Sequence, residues 1–244
     1  MATGTSRKTT AGPADKLALL RRHPLFGQLP AAALEHLGAY MQRRTLPRGS
    51  AIFAKGDAGT GLVGVLSGAV KISVPSADGR DIVLVIMHEG DVFGEIALLD
   101  GHPRTADASA MTDCELMLID RRDFLQFVRS QPDLMIKIIE ILCSRLRRTT
   151  EQVQELTFLN LASRLAKALL RLTDEAQASA PARKVAITQR EISQIIGRSR
   201  ESTNKQLRAW AKQGWIALER GAVTVLHRDK LAEVAEQGCE LGSA

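Results

Sequence analysis

The chain is short of cysteine. Cys114, Cys143 and Cys239 stand far apart in 244 residues, an odd number with no C-x-x-C pair, which excludes a disulfide framework and a thiolate metal site and fits a reducing cytoplasm. Long apolar runs are missing too. The longest in the glycine-rich half is Ile82–Met87, and the helical stretch Leu134–Cys143 is broken by Lys137 and Glu140. Nothing approaches the ~20 residues needed to span a bilayer, and no membrane association is expected. The N-terminus carries no apolar signal-peptide core. No Ser/His/Asp arrangement, Walker loop or HExxH element is present, so an enzyme is not expected.

What is there suits two folded domains. The length exceeds one minimal core, and 45% apolar with 25% charged residues is ordinary for a globular chain. A net charge of +6 and a pI near 9.5 favour a polyanionic partner. Between Arg183 and Lys230 eleven Lys and Arg face four Asp and Glu, so the whole excess sits in the last quarter.

Residues 1–13 are small, polar and aperiodic and are expected to form a disordered leader. Helical periodicity begins near Asp15 and returns from Ala31 to Tyr40. From Leu46 to about Asp120, short β-rich runs alternate with glycine. Val70, Ile72 and Val74 alternate with Lys71 and Ser73, and Asp78-Gly79 separates that run from Ile82–Met87 as a hairpin turn. A small antiparallel barrel or sandwich is expected there. From Pro132 the period becomes helical. Met135, Ile139, Leu142, Leu146, Thr149, Val153 and Leu156 recur in steps of four and three, a heptad seam that reads either as a dimerising coiled coil or as a helix packed on its own domain. A further helix spans about Asn160–Thr173, and Ala176–Pro181 reads as a soft connector.

The densest signal in the first half runs from Phe93 to Ala106. Gly94 lets the backbone approach a ligand, Asp100-Gly101 makes a tight turn, Arg104 offers a forked, permanently charged donor, and Glu95 is an acceptor for hydroxyls. Taken alone, Glu95 and Arg104 also read as a salt bridge beside a turn. The pattern F-G-E-x-A-L-x-x-x-x-P-R-x-A, present here without a gap, resembles the phosphate-binding cassette of cyclic-nucleotide-binding domains. That resemblance implies that Arg104 binds the cyclic phosphate with Thr105 and the backbone around Gly94, Ile96 and Ala97, and that Glu95 takes the ribose 2′-hydroxyl. It also implies adenine contacts for Thr149 and Thr150, which otherwise read as solvated or bonded to the preceding turn.

The second signal lies at Ile187–Trp210. Thr188 and Glu191 form a T-x-x-E capping box, Ile192, Ile195 and Ile196 give an apolar face, Gly197 suits a turn, and Ser199 caps a second helix packing through Leu207 and Trp210. Ile216–Leu218 and Val223–Leu226 follow as a hairpin wing. In a major groove, Arg200 can take guanine O6 and N7 and Glu201 can accept from cytosine N4; the alternative is a solvated charged face. Ser199-Arg200-Glu201 resembles the reader of the cyclic AMP receptor branch of the CRP/FNR regulators, which implies phosphate contacts from Thr188, Arg190, Ser199 and Ser202. Lys205 stands where that branch has Arg, and a point donor discriminates less.

In order and spacing the chain resembles the CRP/FNR family from about Leu25 to Leu226. The resemblance implies an α+β architecture: a double-stranded β-helix, jelly-roll-like effector domain (14–131), a dimerisation helix (132–159), a winged helix-turn-helix (160–238) and a tail (239–244). It implies a cytoplasmic homodimeric transcription regulator with cyclic AMP as effector, cyclic GMP being the alternative, no metal, a pseudo-palindromic duplex as target and RNA polymerase as partner. Nucleotide bridging Arg104 to Thr149 and Thr150 would favour one helix arrangement and set two recognition helices ~34 Å apart. The iron–sulfur branch of the family needs a cysteine cluster absent here, and His23, His36, His88, His102 and His227 have no distinctive haem context. A sensor of another signal and a regulatory subunit of an enzyme are the competing readings.

Overall fold

The computed structural model describes residues 7–8, 13–75, 81–177 and 184–237. They fall into two compact units, one of the described residues up to Pro75 with Leu84–Arg145, the other of residues 81–83 with the described residues from Leu146 onward.

The first unit is antiparallel β-structure flanked by helices. Its elements are β1 (Arg7–Lys8), α1 (Pro13–Arg22), α2 (Ala31–Tyr40), β2 (Gln42–Leu46), β3 (Ala51–Phe53), β4 (Gly61–Ser67), β5 (Val70–Pro75), the part of β6 (Asp81–Met87) from Leu84 on, β7 (Val92–Phe93), α3 (Glu95–Asp100), β8 (Asp107–Ala110), β9 (Cys114–Asp120) and α4 (Arg121–Arg129). A five-stranded sheet runs β1-β2-β9-β4-β7 and a four-stranded sheet β3-β8-β5-β6. Alternation sets the faces: Leu116 of β9 and Ala108 and Ala110 of β8 point into a core shared with Val63, Val65, Val70 and Phe93. Ser73 of β5 is buried as well as Val70, so both faces of that strand are covered. A second core joins Leu20, Phe26, Leu34, Leu37, Phe124 and Phe127 to Leu62 and Met117.

Helix α5 (Pro132–Phe158) begins in the first unit, where Leu134 and Ile138 are buried, and runs on into the second. Asn160 breaks it from α6 (Leu161–Gln177) by accepting the Ser163 N–H at 3.0 Å, an N-cap for the new helix. The second unit continues with β10 (Lys184–Val185), α7 (Gln189–Ile195), α8 (Arg200–Lys212), β11 (Ile216–Glu219), β12 (Ala222–Val225) and α9 (Arg228–Gln237). The three strands pair antiparallel in the order β10-β12-β11, and the whole is a winged helix-turn-helix. Its interior holds Leu165, Leu169, Ile192, Leu207, Trp210, Val223 and Leu231. Ser163 Oγ donates to Val234 O at 2.7 Å and Arg228 pairs with Asp174 at 2.8 Å, tying α9 to α6.

The architecture is the α+β one expected, with differences at its edges. Arg7–Lys8, assigned above to a disordered leader, pair with Arg44 and Thr45 of β2, because the outer edge of β2 has a ladder of backbone groups to offer. Pro13 opens α1, a position where its missing N–H costs nothing. Ala176 and Gln177 are helical rather than connector. Asp78-Gly79, residues 178–183 and the tail from residue 238 lie outside the described residues.

His23, at the end of α1, is buried with its ring 4.9 Å from that of Phe26, and Nδ1 accepts the Leu25 N–H at 3.3 Å. Burial lowers its pKa from 6.5 to about 4, with Asp91 opposing. Folding therefore favours the neutral ring, so its contribution to stability is present above pH 6.5 and is lost as pH falls toward about 4. Between those limits wild type should lose on the order of 3 kcal/mol more unfolding free energy than His23→Gln in urea titrations. A difference that stays constant with pH would contradict this.

Candidate ligand pocket and DNA-reading face

The candidate anion-binding residues gather where β7 turns into α3. Gly94 (φ +83°) caps the helix and Gly101 (φ +77°) ends it, its N–H donating to Ala97 O at 3.1 Å. The chain then passes Pro103 to Arg104, whose N–H donates to Asp57 O and whose carbonyl accepts the Gly56 N–H, both at 2.8 Å. With the backbone anchored, the Arg104 side chain turns inward to 6% exposure. Nη1 donates to Gly94 O and Nη2 to Gly61 O, each at 2.7 Å, and the guanidinium carbon lies 4.3 Å from the Phe53 ring centroid. Its Nε is buried with no hydrogen-bond partner among the described residues. Burial pushes its pKa below the usual arginine value, with Glu95 and Asp57 opposing.

Two glycines make room. A Cβ on Gly94 would sit 2.4 Å from Arg104 Nη1, and one on Gly59 would sit 2.5 Å from Ala97 Cβ. Glu95 is 3% exposed and its Oε1 lies 2.5 Å from Arg145 Nη1, while Arg145 Nη2 also donates to Val92 O. Arg145 belongs to no motif in the sequence. Its only signal is its place on α5 one turn before Thr149, the i, i+4 spacing that puts two side chains on one helix face. Ala97 is buried, and Ile96 and Thr105 are exposed. A buried guanidinium with an unmatched N–H supplies a donor and a buried carboxylate an acceptor, a combination suited to an anion that carries hydroxyls. Thr149 and Thr150 are in the other unit, where Thr150 Oγ1 donates to Leu146 O at 3.0 Å, the helix back-bond.

The seam divides along α5. Met135 and Leu142 pack partly on the first unit's own core, whereas Ile139, Leu146, Val153 and Leu156 are exposed, Leu146 by 68%. The reading as a helix packed on its own domain thus applies to Met135 and Leu142.

In the second unit the capping box forms as the spacing predicts. Thr188 Oγ1 accepts the Glu191 N–H at 3.2 Å, and the Glu191 carboxylate accepts the Thr188 N–H at 2.7 Å. Gly197 (φ +62°) makes the turn, and Ser199 Oγ caps α8 through the Ser202 N–H at 3.2 Å. Arg200, Glu201, Ser202 and Lys205 are all exposed on α8, as is Arg190 on α7, while Thr188 and Ser199 are half-buried by their capping duties. The third wing strand, β10, was not expected, since two residues carry no readable period. Among the described residues no cluster of His, Cys, Asp or Glu is placed to hold a metal, and no helix is long and apolar enough to cross a membrane.

An antiparallel β-domain, followed by a long helix and a winged helix-turn-helix, defines the architecture of a DNA-binding regulator. Two family models match in that order, the cyclic nucleotide-binding domain over residues 43–131 and the Crp-like helix-turn-helix domain over residues 163–234. A CRP-like cAMP-activated global transcriptional regulator of Mycobacterium tuberculosis is 34% identical over 220 residues, covering 89% of this chain and 98% of that one. The cyclic AMP receptor protein of Thermus thermophilus is 33% identical over 216 residues, covering 88% and 98%. The solved structure of CLP, a c-di-GMP-responsive global regulator of Xanthomonas campestris, superposes with a TM-score of 0.72 at 27% identity over 80% of this chain and 99% of that one. The chain belongs to the CRP/FNR family of transcription regulators.

Gly94→Ala should push the guanidinium off its two carbonyls and force alanine into a left-handed conformation. The expected cost is on the order of 2 kcal/mol in urea unfolding. A neutral substitution would contradict the close approach described.

Proposed function

We propose that this regulator is a homodimer in the cytoplasm whose affinity for a pseudo-palindromic DNA site is set by cyclic AMP bound to the β-domain. Residues 14–131 act as the effector domain, 132–159 as the dimerisation helix and 160–238 as the reader. The observation that carries the effector reading is Arg104, buried with an unmatched Nε–H at the mouth of α3 beside a buried carboxylate. An anion with an adjacent hydroxyl answers both groups: the cyclic phosphate would take Arg104, Thr105 and the backbone at Gly94, Ile96 and Ala97, and the ribose hydroxyl would take Glu95. Arg145 would hold the Glu95 carboxylate in its accepting orientation. Cyclic AMP is favoured over cyclic GMP because the relatives from Mycobacterium and Thermus are a cAMP-activated regulator and a cyclic AMP receptor protein. Thr149 and Thr150 enter as base contacts through the resemblance alone.

The exposed Ile139, Leu146, Val153 and Leu156 favour a second copy along α5, since apolar side chains at heptad spacing gain by mutual burial. The exposed Arg200, Glu201 and Lys205 would read base edges, with Thr188, Arg190, Ser199 and Ser202 on phosphates. RNA polymerase is the partner expected at the promoter.

Isothermal titration with cyclic AMP, cyclic GMP and cyclic di-GMP, joined to binding of a duplex selected by the protein from a random pool, tests this. Cyclic AMP should bind and tighten duplex binding. Arg104→Gln should weaken the nucleotide about 10–100-fold, the worth of a charge-assisted hydrogen bond. Arg200→Ala should cost the selected duplex more than a scrambled one. Duplex binding indifferent to all three nucleotides would refute the effector reading, and equal loss on both duplexes would refute base reading by Arg200.

A further inference from the structure

Among the described residues Arg164 is the second buried guanidinium, after Arg104. It lies on α6 at 4% exposure, between Ser163 and Leu165, which are also buried. Its Nη1 donates to Ile196 O at 3.2 Å, and its Nε has no hydrogen-bond partner among the described residues. Ile196 is the C-cap of α7 and the first residue of the turn that ends at Ser199, the N-cap of α8. The carbonyls at a helix end lack intrahelical partners, and a cation there meets the negative end of the helix dipole. A leucine would fill the space without burying charge, so packing alone does not call for arginine.

The same turn meets the end of α5. A Cβ on Gly197 would lie 3.4 Å from Leu156 Cδ2. Burial disfavours the Arg164 cation, as does Arg198 in the turn to a smaller extent, while Glu155 of α5 favours it. Glu155 is also 4.0 Å from Arg171, one α6 residue two turns on from Arg164. Thus the last turns of α5, the start of α6 and the helix-turn-helix turn converge on one guanidinium.

We propose that Arg164 is a positioning residue for DNA reading, holding the turn at Ile196 against α5 and α6 so that the first residues of α8 face the groove. This rests on α8 reading DNA, as set out above. Loosening the tie lets Ser199 and Arg200 shift without unfolding either helix. Charge attraction to phosphates survives such a shift, whereas base-edge contacts do not.

The test uses the full chain with cyclic AMP present, a duplex selected by wild type from a random pool, and a scrambled duplex of equal length. Arg164→Gln should weaken the selected duplex about tenfold or more and the scrambled one less than about threefold, since base contacts alone are lost. Arg164→Lys should recover part of the difference, and Glu155→Gln should shift the ratio the same way by a smaller factor. The intrinsic fluorescence of Trp210 on α8 and Trp215 beyond it, the two tryptophans of the chain, should change with the ratio. An unchanged ratio in all three variants, or equal losses on both duplexes with a lower melting temperature, overturns the proposal. If Arg164→Gln does not fold, Arg164→Lys and Glu155→Gln decide by the same criterion. A wild type that selects no duplex overturns the DNA-reading function itself and this inference with it.

Discussion

A guanidinium at 6% exposure has to be compensated from within the protein, because moving a permanent charge out of water is costly unless donors are matched. Much of the first unit's local geometry serves that one requirement. Gly94 takes a left-handed conformation so that its carbonyl can accept from Nη1, Gly61 supplies a second carbonyl, and Phe53 offers its ring face. Glu95, next along the chain, contributes the negative charge that opposes the desolvation of Arg104. The compensation is incomplete at Nε. An anion arriving there meets a charge already desolvated and oriented, which is the preorganisation that makes binding economical.

Glu95 passes the constraint onward. Its carboxylate is held by Arg145, on the same helix that later carries Glu155 and Leu156. Arg145 lies midway along α5, which ends at Phe158. Beyond that end a buried arginine again waits on a carbonyl, Arg164 on Ile196. Among the described residues a guanidinium is buried against main-chain oxygens twice, Arg104 beside α3 and Arg164 at the turn before α8. Coupling between sites of this kind needs a two-state element that both bias, and α5 is the physical candidate.

Motifs made of neighbours in sequence were legible. Phe93–Ala106 could be read because glycine, carboxylate and arginine fall within one loop and short helix. The capping box at Thr188 and Glu191 and the Ser199 cap could be read because capping has a fixed spacing of three. Arg145 and Arg164 could not, since each is an isolated arginine on a helix whose partner lies 50 or 32 residues away, at Glu95 and Ile196. The stripe on α5 was legible as a stripe, but periodicity does not say what covers it, and here Met135 and Leu142 find the chain's own core. The two-residue strands β1 and β10 are fixed by ladders in their partners, β2 and β12, and carry no pattern of their own.

The central claim is that nucleotide and DNA bind to one coupled system. Linkage then requires symmetry: the factor by which cyclic AMP tightens the selected duplex must equal the factor by which that duplex tightens cyclic AMP. Both factors can be measured by titrating fluorescently labelled duplex with and without saturating nucleotide, and nucleotide with and without saturating duplex. Coupled sites predict equal factors well above one. Cyclic AMP binding with the same affinity whether or not the duplex is present would contradict the coupling.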